Sequence, residues 1–239
     1  MQKQNYKKSS KAVVLLSGGV DSATCLARAV EAFGKRNVFA LIAWYGQRHK
    51  REIESARKLS EFYDVESAEV DLTEVFGLSS CSLLEKNNVD VENGDYADQI
   101  KRAGGKPVAT YVPFRNGLFL SAAASLALSV GADTIVYGAH MDDAAGNAYP
   151  DCSEDFVEKM NAAVAAGTGG QVRVWAPYVH SNKAKIVADG LRLRVPYEVT
   201  WSCYKGGARA CGKCGTCIDR LKAFKANGAV DPIEYEEQR

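Results

Sequence analysis

The stretch AVVLLSGGVDSATCLARAV, residues 12–30, decides the fold. Residues 12–16 are all apolar, as expected of a strand that is buried on both faces of a sheet. A Ser-Gly-Gly turn follows, and residues 21–34 then carry apolar side chains at helical spacing and end on a glycine. The order of strand, glycine turn and helix predicts backbone that closely approaches a ligand at the start of the helix.

The rest of the chain continues this alternation. Strand patterns recur at residues 37–45, 65–72, 133–138 and 172–177, and helix patterns at residues 48–63, 116–130, 152–167 and 182–193. Alternating strands and helices with continuous apolar strands predict an α/β fold with a doubly wound parallel sheet. Residues 73–110 are polar and contain turn signals such as ENGD and RAGGKP, so we interpret them as an insertion over one end of the sheet.

The composition is that of a soluble globular protein. The 239 residues are 46% hydrophobic and 25% charged, with a formal net charge of +1, which argues against a protein that mainly coats nucleic acid. The longest apolar stretch, residues 118–130, is too short to span a bilayer. Residues 1–11 are polar and basic and do not form a signal peptide. We therefore expect an N-terminal tail, a cytoplasmic location, no membrane and no nucleic-acid partner.

The glycine turn matches neither of two familiar nucleotide loops. The Walker pattern needs a lysine that is missing here, and the dinucleotide pattern needs spaced glycines, whereas Gly18 and Gly19 are adjacent. An anion is still favoured, because glycines can turn N–H groups inward, a helix N-terminus adds free donors, and Ser17 and Ser22 add hydroxyls. Asp21 suits such a site if Mg²⁺ or a capping N–H offsets its charge. The alternative is a tight turn with a capping side chain.

Four of the seven cysteines lie close together near the C-terminus, namely Cys203, Cys211, Cys214 and Cys217. Close Cys-x2-Cys spacing lets sulfurs face one ion near tetrahedral geometry, at about 2.3 Å for zinc. Four thiolates leave no open coordination position, so we predict a structural Zn²⁺ site and not a catalytic one. An iron–sulfur cluster and four free thiols are the alternatives.

The segment Ser-Gly-Gly-x-Asp-Ser after an apolar strand resembles the PP-loop of the N-type ATP pyrophosphatases. Further stretches resemble the 7-cyano-7-deazaguanine synthase family: WYGQRHKREIESA (44–56), YVPFRNGLFLSAAASLA (111–127), NAYPDCSEDF (147–156) and TWSCYKGGARACGKCGTC (200–217). The resemblance covers nearly the whole chain. It implies an adenine nucleotide alpha hydrolase-like domain at residues 12–195, with a zinc-binding region at residues 196–239 packed on it.

The resemblance implies that ATP, with Mg²⁺, drives the conversion of 7-carboxy-7-deazaguanine and ammonia into 7-cyano-7-deazaguanine, a queuosine and archaeosine precursor. The loop would hold the β,γ-pyrophosphate and leave the α-phosphorus open to a substrate oxygen, so that AMP is the product. The residues implied for ATP binding are Leu16, Ser17, Gly18, Gly19, Val20, Asp21, Ser22 and Ala23. The resemblance and the frequency of dimers among soluble oligomers lead us to expect a homodimer.

Asp21, Lys183 and Arg115 are the predicted catalytic residues. Lys183 could follow the leaving pyrophosphate as a mobile charge, or it could be an ordinary solvated helix lysine. Arg115 could clamp a phosphate or the substrate carboxylate through two hydrogen bonds, or it could be a capping or ion-paired arginine.

The predicted substrate-binding residues are Tyr45, Gln47, Arg115, Asn116, His140 and Asp151. Tyr45 and Gln47 follow a strand at the edge where open parallel sheets bind ligands, although an aromatic residue there is more often part of the core. Asp151 could accept hydrogen bonds from the amine and ring N–H of a guanine-like base. His140 follows a strand end, and packing is the alternative role for it.

Two other functions are compatible with a PP-loop. A tRNA thiolase of this superfamily also adenylates an oxygen, but it needs a broad basic face, which the net charge of +1 and the TWSCY block do not favour. A non-catalytic nucleotide-binding zinc protein is the other alternative, and the intact Ser17, Asp21, Ser22 and Arg115 weigh against it.

Overall fold

A parallel five-stranded sheet forms the centre of the protein, with the strand order β3-β2-β1-β4-β5. The computed structural model describes residues 10–48, 50–87 and 89–237, so most of the predicted N-terminal tail and His49 lie outside the described residues. The strands are β1 (Ala12–Leu15), β2 (Val38–Trp44), β3 (Glu66–Asp71), β4 (Thr134–Val136) and β5 (Arg173–Trp175). All the strand pairings are parallel, which confirms the predicted doubly wound sheet.

Helices cover both faces of this sheet. The longer ones are α1 (Val20–Phe33), α2 (Arg51–Tyr63), α5 (Arg115–Val130), α7 (Glu154–Gly167), α8 (Lys183–Arg192) and α9 (Gly215–Ala226). Between them lie the shorter α3 (Thr73–Phe76), α4 (Tyr96–Ala103) and α6 (Met141–Ala144). Within the described ranges, no helix combines the length and the apolar character that crossing a membrane would require.

Strand β1 separates two hydrophobic cores. Ala12 and Val14 pack in the core formed with α1, α2, α8 and α9, whereas Val13 and Leu15 pack in the core formed with α5 and α7. None of these four side chains is more than 9% exposed. The apolar run at residues 12–15 is therefore explained by burial on both faces of the sheet, as predicted.

The element ends differ from the predicted ones for local reasons. Helix α7 begins at Glu154 and not at 152, because the Ser153 side chain caps it by accepting the Phe156 N–H at 3.1 Å. Helix α2 begins at Arg51, three residues after the predicted start at 48. Helix α4, within the insertion, and helix α9, which begins inside the cysteine motif, were not predicted from the sequence.

The strand order reverses direction at β1, and a ligand crevice is expected at this point of the sheet. From β1 the chain builds outward through β2 and β3, then crosses to β4 and β5 on the other side. In such sheets ligands bind outside the carboxyl ends of the strands at the reversal point. The glycine turn follows β1, and Gly138 to His140 follow β4, so both segments lie at this crevice.

Residues 73–110 pack at the carboxyl end of the sheet, as predicted. The Arg48 guanidinium, just after β2, donates to the carbonyl oxygens of Ser82 at 2.7 Å and Asn87 at 2.6 Å. Asn93 forms an antiparallel bridge with Cys214. The insertion is therefore attached both to the end of the sheet and to the cysteine region.

A buried ion pair holds the C-terminal region together. Arg220 is fully buried and donates to both carboxylate oxygens of Asp231, at 2.6 and 2.8 Å. It also donates to the Thr200 hydroxyl at 2.8 Å. The Trp201 N–H in turn donates to the Gly18 carbonyl at 2.9 Å, so this region packs directly on the glycine turn. The division of the chain into domains at residue 195 stays a prediction.

The two glycines of the turn have different roles. Gly18 has a φ of +87°, and a Cβ there would lie 2.2 Å from the carbonyl oxygen of Glu52 in α2. Gly19 has a φ of −80°, and its nearest atoms would be 3.6 Å from a Cβ. Only Gly18 is therefore required by the backbone conformation and by the close approach of another helix.

We expect Gly18→Ala to lower the free energy of unfolding by about 1–3 kcal/mol or more, because it adds strain at a positive φ and a clash with α2. Gly19→Ala is the matched control, and its expected cost is below about 1 kcal/mol. Urea denaturation of both variants measures the difference. Equal stability of the two variants would contradict this role of Gly18.

We expect Asp231→Ala to cost about 3–5 kcal/mol of unfolding free energy, because it leaves the buried Arg220 charge without its partner. Glu234→Ala is the control, since the ion pair between Glu234 and Arg209 has side chains 77% and 53% exposed and is worth less than about 1 kcal/mol. Denaturation curves for both variants test this, and similar small losses would refute the role of the buried pair.

Candidate active site

A single cleft at the carboxyl ends of β1 and β4 collects most of the predicted site residues. Its lining includes Leu16, Ser17, Gly19, Asp21, Ser22, Tyr45, Gln47, Arg115, Asn116 and Lys183. The other predicted residues, Gly18, Val20, Ala23, His140 and Asp151, are not part of this lining. The cleft therefore brings together most of the residues expected to bind ATP and most of those expected to bind the second substrate.

Two of the predicted ATP-binding residues pack their side chains in the core, so any contact they make with ATP would be through the backbone. The side chains of Val20 and Ala23 are fully buried in the core around α1. The Ala23 N–H already donates to the Gly19 carbonyl at 3.0 Å within the first helical turn. The Ala23 N–H is therefore already engaged, and Ala23 lies one residue beyond Ser22, the last residue of this segment that lines the cleft.

Serine hydroxyls brace the glycine turn. The Ser22 hydroxyl accepts the Ser17 N–H at 3.2 Å and lies 3.0 Å from the Ser17 hydroxyl. It also lies 3.2 Å from the Gly19 carbonyl oxygen. Among the described residues, no side chain caps the N-terminus of α1. The first N–H groups of this helix and the positive end of its dipole therefore remain available to an anion in the cleft.

Asp21 lies at the centre of a charged cluster. Its Oδ2 is 3.1 Å from Lys183 Nζ and 3.7 Å from His140 Nε2. His140 Nε2 is also 3.3 Å from Asp143 Oδ2. Lys183 is at the first residue of α8, where its own N–H donates to Asp142 Oδ2 at 2.8 Å. Helix α1, helix α8 and the segment after β4 thus meet at one carboxylate.

The cluster keeps Asp21 ionised. Burial alone would raise the pKa of Asp21, but the Lys183 ammonium and His140 hold that pKa well below its usual range. Burial would lower the pKa of Lys183, yet Asp21 and Asp143 raise it above the ordinary lysine value. Asp21 Oδ1 is buried and has no hydrogen-bond partner among the described residues. An ionised carboxylate with one unpaired oxygen beside an anion-binding turn fits a hard cation such as Mg²⁺.

His140 contacts both carboxylates of this cluster, Asp21 and Asp143. It is 1% exposed and does not line the cleft, and direct contact of His140 with a substrate stays a prediction. Burial alone would lower the pKa of His140, but Asp143 and Asp21 raise it above the usual histidine value. His140 lies between two carboxylates because the segment after β4 brings it there. Its position after a strand end indicated from the sequence that it lies near the cleft, but not the direction of its side chain.

Arg115 is held over an aromatic ring at the start of α5. Its Nη1 donates to the Tyr45 hydroxyl at 3.1 Å, and its guanidinium carbon lies 5.2 Å from the centre of the Tyr45 ring. The preceding residue, Phe114, has a left-handed φ of +53°. A Cβ on Gly117 would lie 2.4 Å from the Phe114 ring. Strain at a non-glycine residue persists where the surroundings enforce it, as at binding sites.

Two of the predicted substrate ligands are engaged with the protein itself. Gln47 Oε1 accepts the Tyr45 N–H at 2.9 Å and so braces the end of β2. Asp151 is 2% exposed, and its Oδ2 accepts the Asn116 N–H at 2.9 Å at the start of α5. Burial raises the pKa of Asp151, against the lowering effect of that N–H. Recognition of a base by Asp151 stays a prediction, with Oδ1 as its unpaired atom.

The C-terminal region contributes a wall that sequence reasoning missed. Trp201, Ser202, Tyr204 and Thr216 line the cleft. The Tyr204 hydroxyl accepts from the Tyr96 hydroxyl of α4 at 3.4 Å, which links this wall to the insertion. The sequence could have indicated these residues by their position within the cysteine motif, since Cys203 lies between Ser202 and Tyr204.

The four predicted cysteines converge. Their Sγ atoms all lie within 4.8 Å of one another, and Cys211 Sγ is 4.0 Å from Cys217 Sγ. The N–H groups of Cys211 and Cys214 donate to the sulfurs of Cys203 and Cys211, each at 3.3 Å. Zinc–sulfur bonds of about 2.3 Å in a tetrahedron place sulfurs about 3.8 Å apart. The buried, all-sulfur donor set therefore fits a thiolate-bound metal.

Comparisons with known proteins identify the family of this chain. The family model described as "Queuosine biosynthesis protein QueC" matches residues 11–228. A protein of Psychromonas ingrahamii named 7-cyano-7-deazaguanine synthase is 42% identical over 229 residues, which cover 96% of this chain and 99% of that one. A protein of the same name from Archaeoglobus fulgidus is 43% identical, with 95% of this chain and 91% of that one covered.

A solved structure shows how widely the fold is shared. The U34-tRNA thiolase NcsA from Methanococcus maripaludis, with its [4Fe-4S] cluster, has a TM-score of 0.50 and 19% identity over 83% of this chain and 62% of that one. At this identity the likeness concerns the fold alone. The family model and the curated relatives, in contrast, align over nearly the whole sequence, and the chain therefore belongs to the QueC family of queuosine biosynthesis proteins.

Proposed function

We propose that this protein converts 7-carboxy-7-deazaguanine, ammonia and ATP into 7-cyano-7-deazaguanine. Membership of the QueC family and the name of its relatives support this activity. The structural observation that carries the proposal is one cleft that joins the open N-terminus of α1 to Arg115. Such a cleft can bind the phosphates of ATP at one end and a carboxylate at the other.

The chemistry requires activation of a carboxylate, because oxide is a very poor leaving group. Attack by the carboxylate oxygen on the α-phosphorus of ATP expels pyrophosphate and makes an acyl-adenylate. Ammonia then displaces AMP and gives the primary amide. A second ATP adenylates the amide oxygen, and loss of AMP and a proton leaves the nitrile. No protein nucleophile is needed, so the protein contributes mainly positioning and electrostatic stabilisation.

The residues of the cleft suit these tasks. The N–H groups at the start of α1 and the hydroxyls of Ser17 and Ser22 would bind the leaving pyrophosphate. Lys183 keeps its charge beside them, and it would stabilise the negative charge that develops on that group. Arg115 would hold the substrate carboxylate through two hydrogen bonds and direct it at the α-phosphorus.

Two metals accompany this proposal. Asp21, with its unpaired Oδ1, and Asp143 would hold Mg²⁺, which supplies charge neutralisation for the phosphates. Cys203, Cys211, Cys214 and Cys217 would hold Zn²⁺, and four thiolates leave that ion a structural role. Because Ser202, Tyr204 and Thr216 lie beside these cysteines and line the cleft, the zinc would fix one wall of the active site.

We further propose that the protein acts in the cytoplasm as a homodimer on small molecules and without nucleic acid. The formal net charge of +1 supports the lack of a nucleic-acid partner. The structural likeness to a tRNA thiolase does not favour thiolation here, since it extends only to the fold. Sedimentation velocity of the purified protein measures the oligomeric state.

A turnover assay tests the proposed activity. The purified protein is given the carboxylate, ammonium chloride and Mg·ATP, and the products are identified by mass spectrometry. We expect the nitrile together with AMP and pyrophosphate, and no nitrile when ammonium is left out. AMP release only in the presence of tRNA, or ATP binding without turnover, would overturn the proposal in favour of the thiolase or of a non-catalytic protein.

We expect Asp21→Asn to fold but to lower AMP release by a factor on the order of 100 or more, because the cleft loses a charge while its shape is kept. Asp155→Asn is the control, since that carboxylate is 72% exposed and pairs only with Lys159 on the surface of α7. Turnover rates and melting temperatures are measured for both. A fully active Asp21→Asn would remove Asp21 from the catalytic machinery.

We expect Cys214→Ser to lose bound metal and melting temperature together, because metal binding to a structural site contributes directly to folding free energy. Cys81→Ser is the matched control, since Cys81 is a buried free thiol outside the cluster. Elemental analysis measures the metal and separates zinc from iron. Full metal content and an unchanged melting temperature in Cys214→Ser would refute the structural site.

A further inference from the structure

Glu52 lines the cleft and has no role in the proposed reaction so far. Its backbone carbonyl is the atom that a Cβ at Gly18 would strike, so Glu52 is fixed beside the glycine turn. Its side chain lines the same cleft as Asp21 and Arg115. Among the described residues, the Glu52 carboxylate has no hydrogen bond and no ion pair within 4.0 Å. A carboxylate is thus available to a ligand of the cleft.

The other acids of the cleft are already engaged. Asp21 is paired with Lys183, and Asp143 faces His140. The groups that act electrostatically on Glu52 are Arg115 from α5, which lowers its pKa, and Tyr45 from β2, whose own pKa Glu52 raises. The neighbouring Arg51 lies over the Trp201 ring at 4.4 Å. Burial outweighs Arg115 and raises the pKa of Glu52 to about 7, so this carboxyl can accept and release a proton near neutral pH.

We propose that Glu52 is the ammonium site of the reaction: its carboxylate binds the cation beside Arg115 and accepts the proton that must leave before nitrogen can attack. This inference rests on the proposed synthase function and deepens it. Ammonium is the dominant form of ammonia at neutral pH, and it has no lone pair. A carboxylate that lines the same cleft as Arg115, the residue that would hold the acyl group, provides both attraction and a proton acceptor.

The step balances as follows. One N–H proton of ammonium moves to a Glu52 carboxylate oxygen, and the nitrogen lone pair attacks the acyl carbon of the adenylate. The carbon–oxygen bond to AMP breaks, and AMP leaves with the electron pair. The nitrogen loses a second proton to solvent, and Glu52 returns the first proton to water. Acyl-adenylate and ammonium thus give amide, AMP and two protons.

The reaction has two halves, acid to amide and amide to nitrile. Only the first consumes ammonium, so comparing the two tests the role of Glu52 in ammonium binding. We expect Glu52→Gln to lower kcat/KM for ammonium by about 100-fold at pH 7 in the acid-to-amide half. When the primary amide is supplied as substrate, its conversion to nitrile with AMP release stays at the wild-type rate. The deficit in the first half shrinks as pH rises, because free ammonia becomes abundant in solution.

Glu54→Gln is the matched control, since Glu54 is exposed two residues further along the same helix, and we expect it to leave both halves unchanged. Equal losses in both halves for Glu52→Gln would overturn the proposal and assign Glu52 to recognition of the heterocycle. No loss in either half would also overturn it. Wild-type protein that makes nitrile from neither substrate would instead refute the proposed function.

A second variant covers the case in which Glu52→Gln does not fold. Glu52→Asp keeps the charge on a side chain that is one methylene shorter. We expect it to raise the KM for ammonium while the amide-to-nitrile half stays unchanged. An unchanged KM for ammonium in a folded Glu52→Asp, or losses shared by both halves, would contradict the ammonium site.

Discussion

The close contact of Gly18 with its neighbours is the constraint on which the rest of the site depends. The backbone turns there with a φ of +87°, against the Glu52 carbonyl of α2. The Gly18 carbonyl also accepts the Trp201 N–H at 2.9 Å. The backbone at Gly18 thus contacts α2 and the C-terminal region at the point where the chain passes from β1 into α1. The open N-terminus of α1 and the cleft beside it are consequences of this packing.

Charge in the cleft is distributed so that it suits a highly charged ligand. Asp21 and Lys183 neutralise one another in the resting protein, and each raises the tendency of the other to stay ionised. Arg115, stacked on Tyr45, lines the same cleft. A triphosphate with its cation can therefore enter without leaving an unpaired buried charge, and a carboxylate can meet Arg115. The buried cysteines lie beside Ser202, Tyr204 and Thr216, which also line the cleft.

The sequence was sufficient for the fold and for part of the site. The run from Ala12 to Leu15 predicted a strand buried on both faces, and the four cysteines were recognisable because structural zinc sites typically use closely spaced cysteine pairs. Glu52 and Tyr204 were missed, since a glutamate on an amphipathic helix is ordinarily solvated and the place of both residues in the cleft depends on tertiary packing. Recognition of the substrate by Asp151 stays a prediction, and the bond from the Asn116 N–H to its Oδ2 is a contact between segments that spacing does not reveal.

The central claim is that the amides at the start of α1 hold the β,γ-phosphates of ATP and present the α-phosphorus to Arg115. A crystal structure with Mg²⁺ and an ATP analogue that has a methylene group between the α- and β-phosphorus tests it most directly. The account predicts the terminal phosphates against residues 17–22 and Lys183, with the α-phosphorus facing Arg115. Terminal phosphates bound elsewhere in the cleft, or a γ-phosphate that faces Arg115, would contradict it.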